Sequence, residues 1–363
     1  MIARSLSGAA ALLLAGLLAT LPARAEPYLA VQQGYKCNVC HVNPTGGGLR
    51  NNFGTLYAKT FLPAQTAGGA LDAWSGRLID AVRIGGDLRA EWSDSSVPNT
   101  PSQQQFGLEQ FRLYTDVAII PDRLGLYIDE QVAPNSSQNM EAYVRCGNSN
   151  DGLYFKGGQF YLPFGWRLQD QTAFVREVTG ISMTTPEQGV EMGYEHAAWS
   201  AQLDLTNVPA SGPQTRAGHQ VTDQVVYVQP LWRVGAATSL TQSDAGNRRV
   251  GGLFAGLRTG PVAWLGEFDL VRDESFPGGR SLAGGLFEAD WRIRKGHNLK
   301  LTAESYDPNR AVREDQQARY SFVYEFTPIP FLQLRAGYRR YRGIPQSNVE
   351  NQRLSFVELH GYF

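Results

Sequence analysis

The chain has 363 residues, with 33 Lys and Arg against 34 Asp and Glu and a formal net charge of -1; this is not the basic footprint that nucleic acid selects. Mean hydropathy is -0.29, and past the N-terminus no apolar run approaches the ~20 residues of a membrane helix, which excludes a helical membrane protein. The 39 Gly, 16 Tyr and 17 Phe leave a secreted all-β protein or an outer-membrane barrel, whose strands read as polar overall because one face is wet.

Residues 1–25, MIARSLSGAAALLLAGLLATLPARA, fall into three zones. Arg4 gives a positive start, an apolar run follows, and Ala23-Arg24-Ala25 has the small-x-small form of a cleavage site. This predicts a secretory signal peptide and a mature chain beginning at Glu26. A transmembrane anchor is the competing reading, opposed by the short run and its cleavable end.

Residues 26–76 have no period-two pattern and contain CNVCH, residues 37–41. C-x-x-C-H is the pattern of covalent c-type haem attachment. Cys37 and Cys40 would form the two thioethers that fix the porphyrin edge, and His41 would reach the iron from the same turn. A redox or disulfide pair competes, but the βαβ pattern of thioredoxin-like motifs is missing. A zinc site also competes, but would want a further ligand nearby, and no Cys or His follows His41 before Cys146. After the motif, Leu49, Phe53, Leu56 and Tyr57 have the spacing of one short amphipathic helix.

From residue 77 to residue 363 the chain alternates apolar and polar positions. Val82, Ile84, Leu88, Ala90 and Trp92 share one face, and Arg83, Asp87, Arg89 and Glu91 the other. Phe111, Leu113, Val117 and Ile119 alternate with Arg112, Tyr114 and Asp116; Tyr320, Phe322, Tyr324 and Phe326 alternate with Arg319, Ser321 and Glu325; Leu332, Leu334 and Tyr338 alternate with Gln333, Arg335 and Arg339. Charge opposite grease, repeated in this way, fits lipid outside and water inside.

Short turns are expected at 121–123, 150–152, 197–198, 233–235, 259–261, 295–297 and 328–330. Longer polar loops are expected at 93–105, 133–139, 166–188, 209–223, 242–248, 273–280, 307–316 and 343–352. Alternating short and long connections are those of an outer-membrane barrel. The fold expected is therefore all-β: a transmembrane antiparallel β-barrel of about 16 strands, preceded by a short, mostly helical or irregular haem-binding segment. An even strand count puts both ends of the barrel on the periplasmic side. The chain ends SFVELHGYF, which resembles the C-terminal signal of bacterial outer-membrane proteins. GGQFYLPFGWRLQDQTAFVRE, residues 157–177, resembles the third hairpin of large porins, including the phosphate-selective type, whose loop folds back into the pore.

A second axial ligand is not evident, because no Met or His lies between His41 and Met140. Five-coordinate iron, an unusual ligand, or a group from the barrel remain open. Two barrel candidates follow from the pattern: Met183 on the long third loop, and His360 on the lumen-facing parity of the last strand. Met192 and His196 share the parity of Val190 and are expected outside, as is Cys146 with Ala142 and Val144. The lumen charges Arg83, Arg89, Arg112, Glu267, Glu288, Lys300, Arg335 and Arg339 could hold a plug, although a solvated wall is the plainer expectation for most of them.

In organisation the chain resembles the fused monohaem cytochrome–porins of the outer membrane found among iron-oxidising bacteria. The residue-level match is Cys37, Cys40 and His41. The resemblance implies one covalent haem c and a conduit between an extracellular metal ion or mineral, ferrous iron in the best-known members, and periplasmic electron carriers. Its setting would be outer-membrane lipid, as a monomer or a trimer. Two other functions stand beside it: a diffusion porin for small or anionic solutes with the N-terminal segment as plug or docking element, and a barrel serving separate multihaem cytochromes.

Overall fold

The computed structural model describes residues 26–208 and 218–363. The expected signal peptide and residues 209–217 of the loop expected at 209–223 lie outside the described residues.

A short strand, β1 (Arg77–Ile79), folds back onto β2 (Val82–Ser96). The wall continues through β3 (Gln103–Ile120), β4 (Leu124–Ala133), β5 (Gln138–Gly147), β6 (Gly152–Phe160), β7 (Glu187–His196), β8 (Trp199–Asn207) and β9 (Gly218–Val228). It returns through β10 (Trp232–Ser243), β11 (Gly246–Thr259), β12 (Val262–Asp273), β13 (Arg280–Arg294), β14 (His297–Asp307), β15 (Gln317–Phe326), β16 (Leu332–Arg342) and β17 (Arg353–Tyr362). Each strand is antiparallel to the next, and β17 pairs with β2 from Arg353↔Ser96 to Tyr362↔Asp87. The result is a closed barrel of 16 antiparallel strands.

Alternation sets the two faces as the sequence implies. Asp87, Arg89, Arg112, Tyr114, Arg319 and Glu325 are buried inside, while Leu113, Val190, Leu253, Phe287 and Phe322 are exposed outside. Such an apolar outer band has no aqueous use and is what lipid requires. At the short-turn rim the exterior carries an aromatic row: Trp199 and Tyr227 meet as tilted rings with centroids 4.6 Å apart, and Tyr227 and Trp232 likewise at 5.7 Å. Aromatic rings of this kind sit at the headgroup level of a bilayer.

Several connections differ from expectation: residues 93–96 and 103–105 of one expected loop belong to β2 and β3, and 218–223 of another belong to β9. The turn expected at Arg233-Val234-Gly235 lies at 229–231, and these three residues are inside β10. Pro230 has no N–H to give to a ladder and ends β9. Gly235 serves packing, because the ring of Phe254 occupies the space a Cβ would need. The loop expected at 242–248 is a two-residue hairpin turn, Asp244-Ala245, with Ser243 Oγ accepting from Ala245 N and donating to Gly246 O. The polar residues on either side, Gln242 and Asn247, are a cross-strand pair.

The lumen is filled from two sides. The loop between β6 and β7, residues 161–186, is the longest described connection and folds inward. It carries a short helix that the periodicity did not show, Phe174–Thr179, and Trp166, Leu168, Val175 and Val178 are buried. Arg176 pairs with Glu267, and Arg319 Nη2 holds Glu304 at 2.6 Å and the loop's Asp170 at 2.9 Å.

The second filling is the N-terminal segment. Its helix α1 (Pro27–Gln33) ends at Gly34, φ +67. Tyr28 and Val31 pack against Trp166, Val175, Val226 and Leu265. Helix α2 (Asn52–Thr60) is capped by Asn51, whose Oδ1 accepts from Gly54 N at 3.0 Å. The amphipathic face expected for this helix is buried only in part, at Tyr57. Gly54, Thr55, Tyr57 and Ala58 face in, whereas Phe53 and Leu56 are exposed and Leu49 precedes the helix. A third short helix, α3 (Gly69–Ala73), leads to β1, and Leu71 and Trp74 pack with Ala58, Phe331 and Tyr362.

Candidate functional site

Cys37–Val39 form one turn of 3₁₀ helix, and His41 pairs with Arg50 in an antiparallel bridge. Between the bridge residues the chain doubles back through Gly46, Gly47 and Gly48, at φ +92, +77 and +60. Three successive left-handed residues are tolerated only as glycine. Position 48 also lies against Tyr127, whose hydroxyl accepts from Leu49 N at 3.0 Å. Asn51 Nδ2 donates to the carbonyls of Asn38 and Val39 at 2.9 and 3.1 Å. The motif is thus a preformed loop, clamped from within.

The wall clamps it from outside. Lys36 Nζ reaches Glu195 Oε2 of β7 at 2.8 Å. Asn38 Nδ2 donates to Asn150 O, in the turn after β5, at 3.0 Å. Asn43 Nδ2 donates to Glu141 Oε1 at 3.2 Å and Arg145 Nη1 to Val42 O at 2.8 Å. Arg233 donates to Tyr35 O, and Tyr28 Oη donates to Glu325 Oε2 at 3.0 Å. Lumen charges expected as a solvated wall are instead dry and engaged: Arg89 with Asp87 and Glu358, Arg112 with Asp129, Arg335 with Glu325 and Glu358.

Cys37, Cys40 and His41 line one cavity between the segment, the inward loop and the wall. Trp166, Phe254, Val226 and Val228 supply apolar wall, and Arg50, Arg167 and Arg233 supply cations at its edges. Both cysteines are free thiols. Burial pushes the Cys37 thiol up, against the pull of Arg233, and pushes Cys40 up to about 11. Burial, with Arg50, lowers His41 to about 3, so its imidazole is neutral, the form that binds metal. His41 is only 4 % exposed, and its ring meets the backbone of Gly47 and Gly48. A buried, neutral imidazole beside two free thiols and an apolar cavity fits a c-type haem.

The structure does not bring the two candidate axial ligands into this wall. Met183 is carried inward on its loop, but it packs with Met140 and Tyr161. His360 faces the lumen near the short-turn end; Nε2 lies 3.2 Å from Arg89 Nη2 and Nδ1 3.0 Å from Gln333 Oε1. Cys146, Met192 and His196 are exposed on the outer face, as their parity implies. Arg167, Arg233, Trp166 and Lys36 are site residues the sequence reading missed. Lys36 adjoins Cys37 and could have been found; the other three arrive from loop and wall and left no local signal.

No family model matches the chain, and no curated protein matches it. Solved structures do match in fold. An anion-selective porin from Comamonas acidovorans is 11% identical with a TM-score of 0.63, covering 78% of this chain and 99% of its own. The outer membrane channel DcaP of Acinetobacter baumannii is 11% identical with a TM-score of 0.59, covering 78% and 97%. Salmonella typhi OmpF, solved with daunomycin, is 10% identical with a TM-score of 0.59, covering 78% and 97%. The chain has a porin-like barrel fold.

Proposed function

We propose that the protein is an outer-membrane electron conduit in which a plugged, porin-like barrel encloses one covalent haem c. The observation that carries this reading is the shared cavity of Cys37, Cys40 and His41 inside a lumen filled by the N-terminal segment and the inward loop. Haem c bound there would supply a one-electron Fe(III)/Fe(II) couple. Cys37 and Cys40 would anchor it, and His41, neutral and buried, would be the proximal ligand. Trp166, Phe254 and Val226 would exclude water from the porphyrin faces, and Arg167 and Arg233 would meet its carboxylates. The barrel wall would act as an insulating sleeve across the bilayer, with an extracellular electron donor or acceptor on one side and periplasmic carriers on the other.

The fold neighbours favour a second reading, a diffusion porin in which the N-terminal segment is a plug or docking element. Two measurements separate them. A pyridine haemochrome spectrum of the purified protein should show covalent haem, and Cys37→Ala and Cys40→Ala should lose it. In liposomes, the conduit should reduce trapped cytochrome from an external donor without solute leakage. Leakage without electron transfer identifies the porin.

A further inference from the structure

We infer that the iron held by His41 receives no methionine or second histidine on its other side and instead takes small exogenous ligands there, carbon monoxide when ferrous and cyanide when ferric. The inference rests on the haem reading above. Strong-field partners of c-type iron are thioethers and imidazoles, and the described cavity wall has no methionine and no histidine besides His41.

Met183 is held away from it at both ends. Its N–H donates to Gln171 Oε1 at 2.9 Å, and its carbonyl accepts from Arg112 Nη2 at 2.8 Å. Its thioether lies beside Gly47, where a Cβ would come 2.7 Å from Met183 Cε. Gly47 itself lines the cavity and Met183 does not. His360 has both ring nitrogens facing Arg89, Asp87 and Gln333. His297 stacks on Phe326 at 4.5 Å, and His196 faces outward beside Asp151.

The amine in the wall is committed as well, since Lys36 Nζ holds Glu195 at 2.8 Å and Trp199 O at 3.1 Å. The other neutral or anionic donors in the wall are oxygens and amides. Among them, Glu26 is paired with Lys300 at 2.9 Å, and Tyr57 Oη accepts from Gln33 Nε2 at 3.2 Å. Oxygen donors are weak-field ligands: they leave iron high-spin and exchange readily.

The test uses the purified full-length protein in detergent. A positive pyridine haemochrome assay, a high-spin ferric EPR signal, a Soret shift on adding carbon monoxide to the reduced protein and a shift on adding cyanide to the oxidised protein are expected. Met183→Leu should leave all four unchanged. A low-spin resting spectrum, or high-spin iron that ignores carbon monoxide, overturns the inference while leaving the haem reading intact. A low-spin signal lost in Met183→Leu or His360→Gln overturns it by naming the ligand. A negative haemochrome assay sinks both readings together.

Discussion

Lys300 Nζ of β14 lies 2.9 Å from Glu26 Oε2, so the first described residue is held inside the barrel by a strand 274 positions away. The same ammonium lies 3.5 Å from Glu288 and 3.9 Å from Asp290. One cation therefore answers three carboxylates where water is scarce. Lys300→Met should destabilise the folded barrel by about 3–5 kcal/mol, the usual cost of stranding buried charge. The check is the temperature at which the heat-modifiable band shifts on a gel, and Lys300→Met with Glu26→Gln should recover part of the loss.

Gly34 ends α1 in the left-handed region at φ +67, where a Cβ would meet Pro230 Cα at 2.7 Å. Gly34→Ala combines a backbone cost of about 1–2 kcal/mol with a collision against the turn between β9 and β10. The barrel should survive while the segment loosens. Trypsin should then cut at Lys36 and Lys59 several-fold faster than in the native protein, with the wall still resistant. Equal protection in both proteins would contradict this account of the turn.

Asp170 gives the inward loop its response to acid. Burial alone would raise its carboxyl, but Arg319 and Arg339, helped by two hydrogen bonds from Thr172, hold it well below the usual carboxylate range. The ion pairs are 2.9 Å to each arginine. A depressed folded-state value means the stabilisation is complete above the ordinary value of about 3.9 and is lost as pH falls below it. Single-channel conductance should stay flat from neutral pH to about 4 and rise only in stronger acid. Asp170→Asn should open the loop at neutral pH and remove the acid step.

The three cysteines should separate cleanly. Cys146 lies on the outer face of β5, opposite Leu124 of β4, and is exposed. Cys146→Ser should leave haem content and folding unchanged, whereas Cys40→Ser should lower covalent haem sharply. A bilayer-soluble maleimide should label Cys146 in the folded protein. Loss of haem in Cys146→Ser would mean that the cavity is not the attachment site.

The wall was legible because a strand's period is two and its faces meet opposite solvents. Arg112 and Tyr114 point in and Leu113 points out with no knowledge of neighbours. Turns were legible where Pro or Gly has a conformational reason, as at residues 260–261. They misled where glycine serves packing, as Gly235 does for Phe254. In the segment, spacing singled out Cys37, Cys40 and His41, which share one cavity wall. Arg167, Arg233 and Trp166 did not, since they reach the cavity from distant parts of the chain. Phe53 and Leu56 fit a buried face by spacing, yet of the expected helical face only Tyr57 turns inward, to the cavity, and Ala58 packs with Phe331 and Tyr362.

Beside the apolar packing of Tyr28 and Val31, polar contacts with one member on either side join segment and wall: Lys36 with Glu195, Tyr28 with Glu325, Asn43 with Glu141, Arg233 with Tyr35. The two parts are therefore not exchangeable modules. A segment grafted from this chain into another barrel, or a foreign segment into this one, would leave carboxylates and guanidinium groups facing strangers in a dry interior. Inheritance of the N-terminal loop and of the wall around it is bound together by these pairs, and either half can change only as fast as the other follows.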